Sequence, residues 1–162
     1  MDEENPVLFL DLDGVLHPQP CSEAMLFSRA PLLENALRDF GRWEIVISSS
    51  WRLQLTIAEI KERLPADLAA RVVGVTPSCA HESLLGHAPT LGQHTQGIRE
   101  IEILAWLKQN RIGGAWRTPF VALDDWPYNF SHPTPPWVVL CDPNVGLDHI
   151  SAGRLVNWMA GQ

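Results

Sequence analysis

Pairs of acidic or hydroxyl residues stand directly after three apolar runs of the sequence. The pairs are Asp11 and Asp13, Ser48 and Ser49, and Asp124 and Asp125. Four carboxylates brought together would repel one another, at about 4 kcal/mol for a pair ~4 Å apart with an effective dielectric constant of ~20. A divalent cation removes that repulsion, and oxygen ligands suit Mg²⁺, which also binds substrate phosphates. The residue types therefore predict Mg²⁺-assisted chemistry on a phosphate group, with the serine hydroxyls binding phosphate oxygens.

The elements that must position these residues alternate between apolar runs and helical periodicity. The apolar runs, typical of strands covered on both faces, occupy residues 7–10, 44–47, 72–75, 120–123 and 137–140. Helical spacing of apolar residues marks 33–40, 53–64, 98–108 and 152–159, the last with Asp148 as its cap. The alternation predicts an α/β fold, with a doubly wound, mostly parallel Rossmann-like sheet in three α/β/α layers. Such sheets bind ligands beyond the carboxyl ends of their strands, where the three polar pairs stand.

Length, composition and charge narrow the class of protein further. The chain has 162 residues, of which 46% are hydrophobic and 19% charged, which favours one folded domain and excludes disorder. The formal net charge of −7 opposes generic binding to nucleic-acid phosphates but allows a local basic pocket. The sequence has no apolar run of the ~18 residues that a membrane helix needs and no signal peptide, so a cytoplasmic location is expected. Its three cysteines form no C-x-x-C pair, which argues against a zinc knuckle.

Three segments resemble the sequence motifs of the haloacid dehalogenase (HAD) superfamily. They are 9–16 (Phe-Leu-Asp-Leu-Asp-Gly-Val-Leu) for motif I, 45–48 (Ile-Val-Ile-Ser) for motif II and 121–125 (Val-Ala-Leu-Asp-Asp) for motif IV. The chain resembles a small branch of that superfamily in a combination of Ser49-Ser50-Trp51-Arg52, Glu102 to Trp106-Leu107, Leu123-Asp124-Asp125 and the late Gly146-Leu147. This branch includes phosphatase-like domains of multidomain RNA-repair proteins.

The resemblance implies a role for each polar pair. Asp11 would be the nucleophile that forms an aspartyl-phosphate, and Asp13 would act as general acid and then as general base. Ser48, or Ser49 if the strand ends later, would bind the phosphoryl oxygens. Mg²⁺ would be held by Asp11, the backbone carbonyl of Asp13, Asp124 and Asp125. An aspartate at position 13 favours a phosphatase over a dehalogenase, because a leaving alkoxide needs a proton.

The basic residue of motif III departs from the superfamily's usual pattern. That residue is commonly a lysine near the start of the helix before the fourth strand, but Lys61 and Lys108 stand elsewhere. Arg99, at the start of the 98–108 helix, is the first candidate for the role, and Arg52 is the second. An arginine can bind a phosphate through two hydrogen bonds, where a lysine acts as a point charge.

The gaps between the motifs bear on the substrate. Residues 15–31 and 77–95 are too short for an inserted cap domain, so residues 1–162 are expected to form a single HAD-like domain without a cap. An open site favours phosphates on macromolecules, and the resemblance points to a single-stranded nucleic-acid end, with no membrane partner and no identified protein partner. Trp126 and Tyr128 could stack on a base. His81, His87 and His94 fit no zinc spacing and are assigned to a substrate loop or the surface.

Two other functions remain open for the same scaffold. One is a phosphate-binding or interaction module that keeps the fold but has lost turnover. The other is a dehalogenase or a phosphotransferase. The intact Asp11 and Asp13 favour a hydrolase over a binding module.

Overall fold

A parallel β-sheet of five strands forms the centre of the part of the chain that the structure describes. The computed structural model describes residues 4–78 and 97–162. The strands are β1 Val7–Leu10, β2 Glu44–Ile47, β3 Val72–Val75, β4 Phe120–Asp124 and β5 Val138–Leu140, in the order β3-β2-β1-β4-β5. The helices in the described ranges are α1 Ala30–Leu37, α2 Ile57–Arg63, α3 Ala66–Arg71, α4 Ile98–Asn110 and α5 His149–Ala160. All the strand pairs are parallel, so the prediction of a doubly wound α/β fold is confirmed.

Alternation along the strands divides the core between the two faces of the sheet. Leu8 and Leu10 of β1 pack in one buried cluster with residues of α1, α2, α3 and α5. Val7 and Phe9 pack in a second cluster with Trp106 of α4. Because side chains of an extended strand point alternately to opposite faces, a wholly apolar strand serves both clusters. The result is the predicted three-layer arrangement, with helices on both faces of the sheet.

The segment after β2 differs from the sequence prediction. A helix was expected over 53–64, but Leu53 belongs to a 3₁₀ turn, Ser50–Leu53, and α2 begins only at Ile57. Thr56 starts α2 because its hydroxyl accepts a hydrogen bond from the backbone N–H of Glu59, whose carboxylate accepts one from the Thr56 N–H. The sequence prediction also missed α3, which follows Pro65 directly. At the other end of the chain, Asp148 caps α5 as expected.

The order of the strands places a topological switch point at the centre of the sheet. From β1 the chain proceeds to β2 and β3 on one side, and later to β4 and β5 on the other. Leu10 is in register with both Ile47 and Leu123, so the residues that follow these three lie level with one another. Those residues are Asp11, Ser48 and Asp124. A crevice at such a point is where open α/β sheets bind their ligands.

The two gaps considered for a cap domain differ in what the structure describes. The first contains a 3₁₀ turn, Glu23–Met25, before α1 begins at Ala30. The second falls mainly on residues 79–96, which lie outside the described residues together with His81, His87 and His94. The single domain without a cap stays a prediction. Within the ranges 4–78 and 97–162, no helix is long and apolar enough to cross a membrane.

Candidate active site

Three carboxylates converge at the switch point. Asp11 after β1, Asp124 at the end of β4 and the adjacent Asp125 each offer one oxygen, and these oxygens lie within 4.8 Å of one another. Asp11 and Asp124 are only 6% and 2% exposed. Burial raises the pKa of Asp124 to about 6 and that of Asp11 well above its ordinary value, and Asp124 adds to the shift of Asp11. Burial likewise raises the pKa of Asp125.

A glycine makes the close approach of Asp125 possible. Gly14 has a φ of +71°, in the left-handed region that favours glycine. A Cβ at this position would lie 2.1 Å from Oδ2 of Asp125, which no real contact allows. The space next to the Asp125 carboxylate therefore exists because residue 14 has no side chain. Oxygen donors this close, in a buried place that disfavours their negative charge, fit a hard divalent cation such as Mg²⁺.

The two serines after β2 have different surroundings. Ser48 is 2% exposed, and its Oγ has no hydrogen-bond partner among the residues at 4–78 and 97–162. The Oγ of Ser49 accepts a hydrogen bond from the backbone N–H of Trp51 at 3.3 Å and so caps the following 3₁₀ turn. A buried hydroxyl without a partner is costly unless a ligand supplies one. Of the two predicted phosphate-binding serines, Ser48 has the hydroxyl left for that purpose.

Both candidate arginines contact one buried carboxylate. The carboxylate of Glu102 in α4 forms ion pairs with Nη2 of Arg52 at 2.7 Å and with Nη1 of Arg99 at 3.1 Å. The side chains of Arg52, Arg99 and Glu102 are 5%, 12% and 3% exposed. Arg52 also donates from Nη1 to the backbone carbonyl of Ser49 at 2.6 Å, and burial lowers the pKa of its guanidinium. Two positive charges and one negative charge leave this group with a net positive charge.

The positive group lies near the acidic one. Arg99 acts against burial to lower the pKa of Asp11 and of Asp124. The charge of Asp11 in turn acts to raise the pKa of Arg52. The structure thus brings both predicted arginines to the same site, where the sequence analysis left the choice between them open. Glu102 is the residue that joins them. The sequence indicated Glu102 as part of the family resemblance and, three residues after Arg99 on a helix, as a partner of Arg99, but not as a partner of Arg52.

Asp13 lies beside this acidic group, and its carboxylate is hydrogen-bonded to a histidine. Its Oδ1 is 2.8 Å from Nε2 of His17, which is 2% exposed. The other ring nitrogen of His17, Nδ1, accepts a hydrogen bond from the backbone N–H of Phe27 at 3.3 Å. Nδ1 therefore carries no proton, and it is Nε2–H that donates to Asp13. The side chain of Asp13 is 30% exposed, so one carboxylate oxygen is held while the residue stays accessible.

Phe27 has an unusual backbone conformation at this point. Its φ is +60°, in the left-handed region that bulky residues rarely adopt. The rings of Phe27, His17 and Trp51 form a cluster, with centroids 5.4 to 5.9 Å apart. The packing of this cluster holds Phe27 in a conformation that presents its N–H to His17.

A second group of hydrogen bonds orients Asp124. Its Oδ1 accepts from the backbone N–H of Trp126 at 2.8 Å and from Nδ2 of Asn129 at 3.2 Å. Asn129 is not predicted as a site residue from the sequence, because its contact with Asp124 depends on how the chain turns after β4. Trp126 and Tyr128, expected to lie near the site, are 51% and 60% exposed with ring centroids 5.5 Å apart.

A parallel sheet with a switch point, an aspartate pair after the first strand and an acidic pair after the fourth define a HAD-type domain. The family described as HAD domain in Swiss Army Knife RNA repair proteins matches residues 7–152, so the chain belongs to this family and the predicted resemblance is confirmed. The searches of curated proteins and of solved structures gave no match. Membership supports a phosphohydrolase-type function, and HAD domains generally use Mg²⁺.

Proposed function

We propose that the protein is a Mg²⁺-dependent phosphohydrolase that acts on phosphate monoesters through an aspartyl-phosphate intermediate. The observation that carries the proposal is the register of the sheet, which sets Asp11, the unpartnered Ser48 hydroxyl and Asp124 level with one another. The same edge of the sheet thus holds a nucleophile, a donor for a phosphate oxygen and a carboxylate for a cation. These are the parts that a phosphoryl transfer to an aspartate requires.

In the first step, a carboxylate oxygen of Asp11 attacks the phosphorus atom. A bond forms between Asp11 and phosphorus while the bond from phosphorus to the leaving oxygen breaks, and the leaving oxygen takes a proton from Asp13. The Ser48 hydroxyl donates a hydrogen bond to a phosphoryl oxygen. Arg99 compensates the negative charge of the phosphoryl group, and Arg52 adds to the positive charge around it.

In the second step, water attacks the phosphorus atom of the aspartyl-phosphate. Asp13 takes a proton from this water, which restores the proton that it gave to the leaving group. The bond between Asp11 and phosphorus breaks, and inorganic phosphate leaves together with the regenerated carboxylate. General acid–base help of this kind is worth about 10²–10⁴-fold in rate, which explains why the position of Asp13 matters.

The metal ligands in this proposal are the carboxylates of Asp11, Asp124 and Asp125, with the backbone carbonyl of Asp13. When bound, Mg²⁺ supplies positive charge that neutralises these carboxylates and the phosphate oxygens. The short distances among the three carboxylates and the burial of two of them support this set.

The substrate we propose is the phosphorylated end of a single-stranded nucleic acid. Support comes from the description of the matching family, which names RNA repair proteins. A net charge of −7 disfavours binding along a duplex, whereas a single end needs only the local positive group of Arg52 and Arg99.

A phosphatase screen with a nucleophile variant tests the proposal. The chain is incubated with Mg²⁺ and with 3′- and 5′-phosphorylated single strands, small alkyl phosphates and acetyl phosphate, and released phosphate is measured. We expect turnover that Asp11→Asn lowers by about 10³-fold or more, because the nucleophile is lost. Asp39→Asn, which changes an exposed aspartate outside the site, serves as the matched control and is expected to keep full activity.

Four outcomes would contradict the proposal. Release of phosphate that is equal in the unmodified chain and in Asp11→Asn would show that Asp11 is not the nucleophile. Binding of phosphorylated strands without any release would instead support a phosphate-binding module on the same fold. Release of halide, or transfer of phosphate to an acceptor in preference to water, would indicate a dehalogenase or a phosphotransferase.

A further inference from the structure

A cleft of about 410 Å³ opens beside Asp13. It is lined by Asp13, Ser50, Trp51, Gln54, Leu55 and Arg63. These residues come from motif I, from the segment between β2 and α2, and from α2 itself. The volume lies within the range of small-molecule binding sites.

The lining of the cleft indicates which part of a substrate it receives. Asp13 borders the cleft, but Asp11, Asp124 and Asp125 do not. In the proposed reaction the phosphoryl group lies at Asp11, and Asp13 gives its proton to the oxygen that leaves. A cleft that shares only Asp13 with the catalytic residues therefore lies where the leaving group lies, rather than where the phosphoryl group lies.

An aromatic ring and a cation dominate the chemistry of this cleft. The guanidinium carbon of Arg63 is 5.9 Å from the centroid of the Trp51 ring. Trp51 is fixed by its contacts with His17 and Phe27, at centroid distances of 5.9 and 5.4 Å. Because the guanidinium of the exposed Arg63 lies over the indole, a nucleobase that stacks on that face displaces it, and the freed cation can pair with a phosphate.

The remaining lining residues favour a nucleoside over a free sugar as the leaving group. Gln54 offers an amide that can bond the edge of a base, and Leu55 adds an apolar surface. A sugar leaving group carries several hydroxyls, each of which loses water on binding and needs a partner. Among the described residues, Ser50 and Gln54 are the polar side chains of the lining that are left once Asp13 acts as the acid and Arg63 pairs with a phosphate, which is few for such a group.

We propose that this cleft is the leaving-group subsite and that it binds the terminal nucleoside of a single-stranded nucleic acid. Trp51 stacks on the terminal base, Gln54 bonds the base edge, and Arg63 pairs with the phosphate of the next nucleotide. The subsite rests on the proposed phosphohydrolase function and names the part of the substrate that the enzyme recognises.

Paired substrates test the contact between Trp51 and the base. One strand carries its terminal phosphate on a normal nucleotide, and the other carries it on an abasic residue, and both the 3′- and the 5′-phosphorylated forms are measured. The unmodified chain is expected to favour the normal strand by about 5- to 150-fold in kcat/KM, which corresponds to the ~1–3 kcal/mol that stacking on an aromatic side chain contributes per base. Trp51→Leu is expected to abolish this preference, whereas Trp51→Phe retains part of it.

The use of an abasic strand also separates stacking from indirect damage. Trp51 contacts His17, so its replacement could disturb Asp13 as well as the base. A disturbed Asp13 would lower kcat/KM equally for both strands, since each leaves as an alkoxide that needs a proton. Equal losses would therefore overturn the subsite.

A second pair of substrates tests Arg63. A phosphorylated dinucleotide has the phosphate that Arg63 is proposed to bind, and a mononucleotide phosphorylated at the same position lacks it. Arg63→Gln is expected to lower kcat/KM for the dinucleotide several-fold, with less loss at high salt, and to leave the mononucleotide nearly unchanged. Arg38→Gln removes the same charge from an exposed position outside the cleft and is expected to affect neither substrate.

The failures of the two proposals can be told apart. If no substrate is hydrolysed above the level of Asp11→Asn, the phosphohydrolase function itself is wrong. If phosphate is released but neither Trp51→Leu nor Arg63→Gln changes the ratio within its pair of substrates, only the subsite is wrong. A preference for a sugar phosphate over every oligonucleotide would likewise overturn the subsite.

Discussion

At the scale of single residues, the site depends on which hydrogen bonds are already made and which are left open. The Asp13 carboxylate has one oxygen bonded to His17, and the Ser48 hydroxyl has no partner among the described residues. The first arrangement fixes a side chain, and the second leaves a donor for a ligand. The N–H of Phe27 determines which nitrogen of His17 bears the proton. This makes His17 a positioning residue for Asp13.

Replacing His17 should lower kcat more for a substrate whose leaving group needs a proton than for one whose leaving group does not. His17→Leu removes the donor that holds Asp13, so we expect about a 10–100-fold loss of kcat for an alkyl phosphate, a part of the general-acid contribution. Acetyl phosphate, whose leaving group is a weak base, should lose at most a few-fold. His17→Gln places an amide N–H near the position of Nε2 and should recover part of the rate.

The comparison of leaving groups distinguishes positioning from simple damage to the fold. A purely structural role would lower the rates for alkyl phosphate and acetyl phosphate by the same factor, in His17→Leu and in His17→Gln alike. That result would contradict the role assigned to His17. Circular dichroism of both variants shows whether the chain still folds.

At the scale of elements, one carboxylate ties a helix to the end of a strand on the other side of the switch point. Glu102 belongs to α4, and Arg52 lies in the turn that follows β2. The contact between them, with Arg99 as the third member, fixes α4 relative to the residues that would bind phosphate. Its members are buried, so its charges depend on one another more than those of a surface pair.

Removal of the Glu102 charge should therefore cost much more stability than removal of an exposed glutamate. Glu102→Gln leaves two buried guanidiniums without their anion, and we expect the free energy of unfolding to fall by about 3–5 kcal/mol. Urea denaturation measures the change, with the exposed Glu62→Gln of α2 as the matched control, expected within about 0.5 kcal/mol of the unmodified chain. Equal stability of the two variants would mean that the three side chains do not act as one buried unit.

The elements were largely predictable from the sequence because each strand is a short apolar run, and three of these runs lead directly into a polar residue. That pattern placed Asp11, Ser48 and Asp124 at strand ends, and parallel pairing then set them level. The choice between Ser48 and Ser49 was not predictable. It depends on the residue at which β2 ends, and a shift of one position turns a side chain to the other face.

The contacts between elements were less accessible to sequence reasoning than the elements themselves. The partner of His17 comes from Phe27, ten residues later, in a loop whose left-handed φ no residue type announces. Asn129 reaches Asp124 only because the chain turns back after β4. Glu102 unites two arginines that lie far apart in sequence, so the sequence offered them as alternatives. Such contacts depend on tertiary packing, which local patterns do not encode.

At the scale of the whole molecule, part of the net charge of −7 is concentrated at one place in the fold. Asp11 and Asp124 are both buried, and the pKa of each is raised. Residues that lose hydration in this way oppose folding when they are ionised. The fold therefore bears a cost at neutral pH that a bound cation would remove.

Stability of the metal-free chain should fall as the pH rises through about 6. The pKa of Asp124 is about 6 in the folded protein against 3.8 ordinarily, so the folded state binds this proton more tightly than the unfolded state does. The stabilisation is complete below pH 4 and is lost above pH 6, with a total on the order of 3 kcal/mol for this group. Roughly half of this stabilisation is lost between about pH 5 and pH 7.5. The pKa of Asp11 is shifted in the same direction.

Thermal unfolding with EDTA or with Mg²⁺ at the two pH values tests this linkage. Mg²⁺ should raise Tm clearly at pH 7.5 and much less at pH 5, because protons compete with the ion for the same carboxylates. Asp124→Asn, which keeps the shape but cannot ionise, should weaken both the pH dependence of the metal-free chain and the response to Mg²⁺. The linkage would be wrong if the metal-free chain were more stable at pH 7.5 than at pH 5, or if Asp124→Asn responded to Mg²⁺ as the unmodified chain does. Either result would mean that other groups of the fold already neutralise the charges of the three carboxylates, so that no cation is needed.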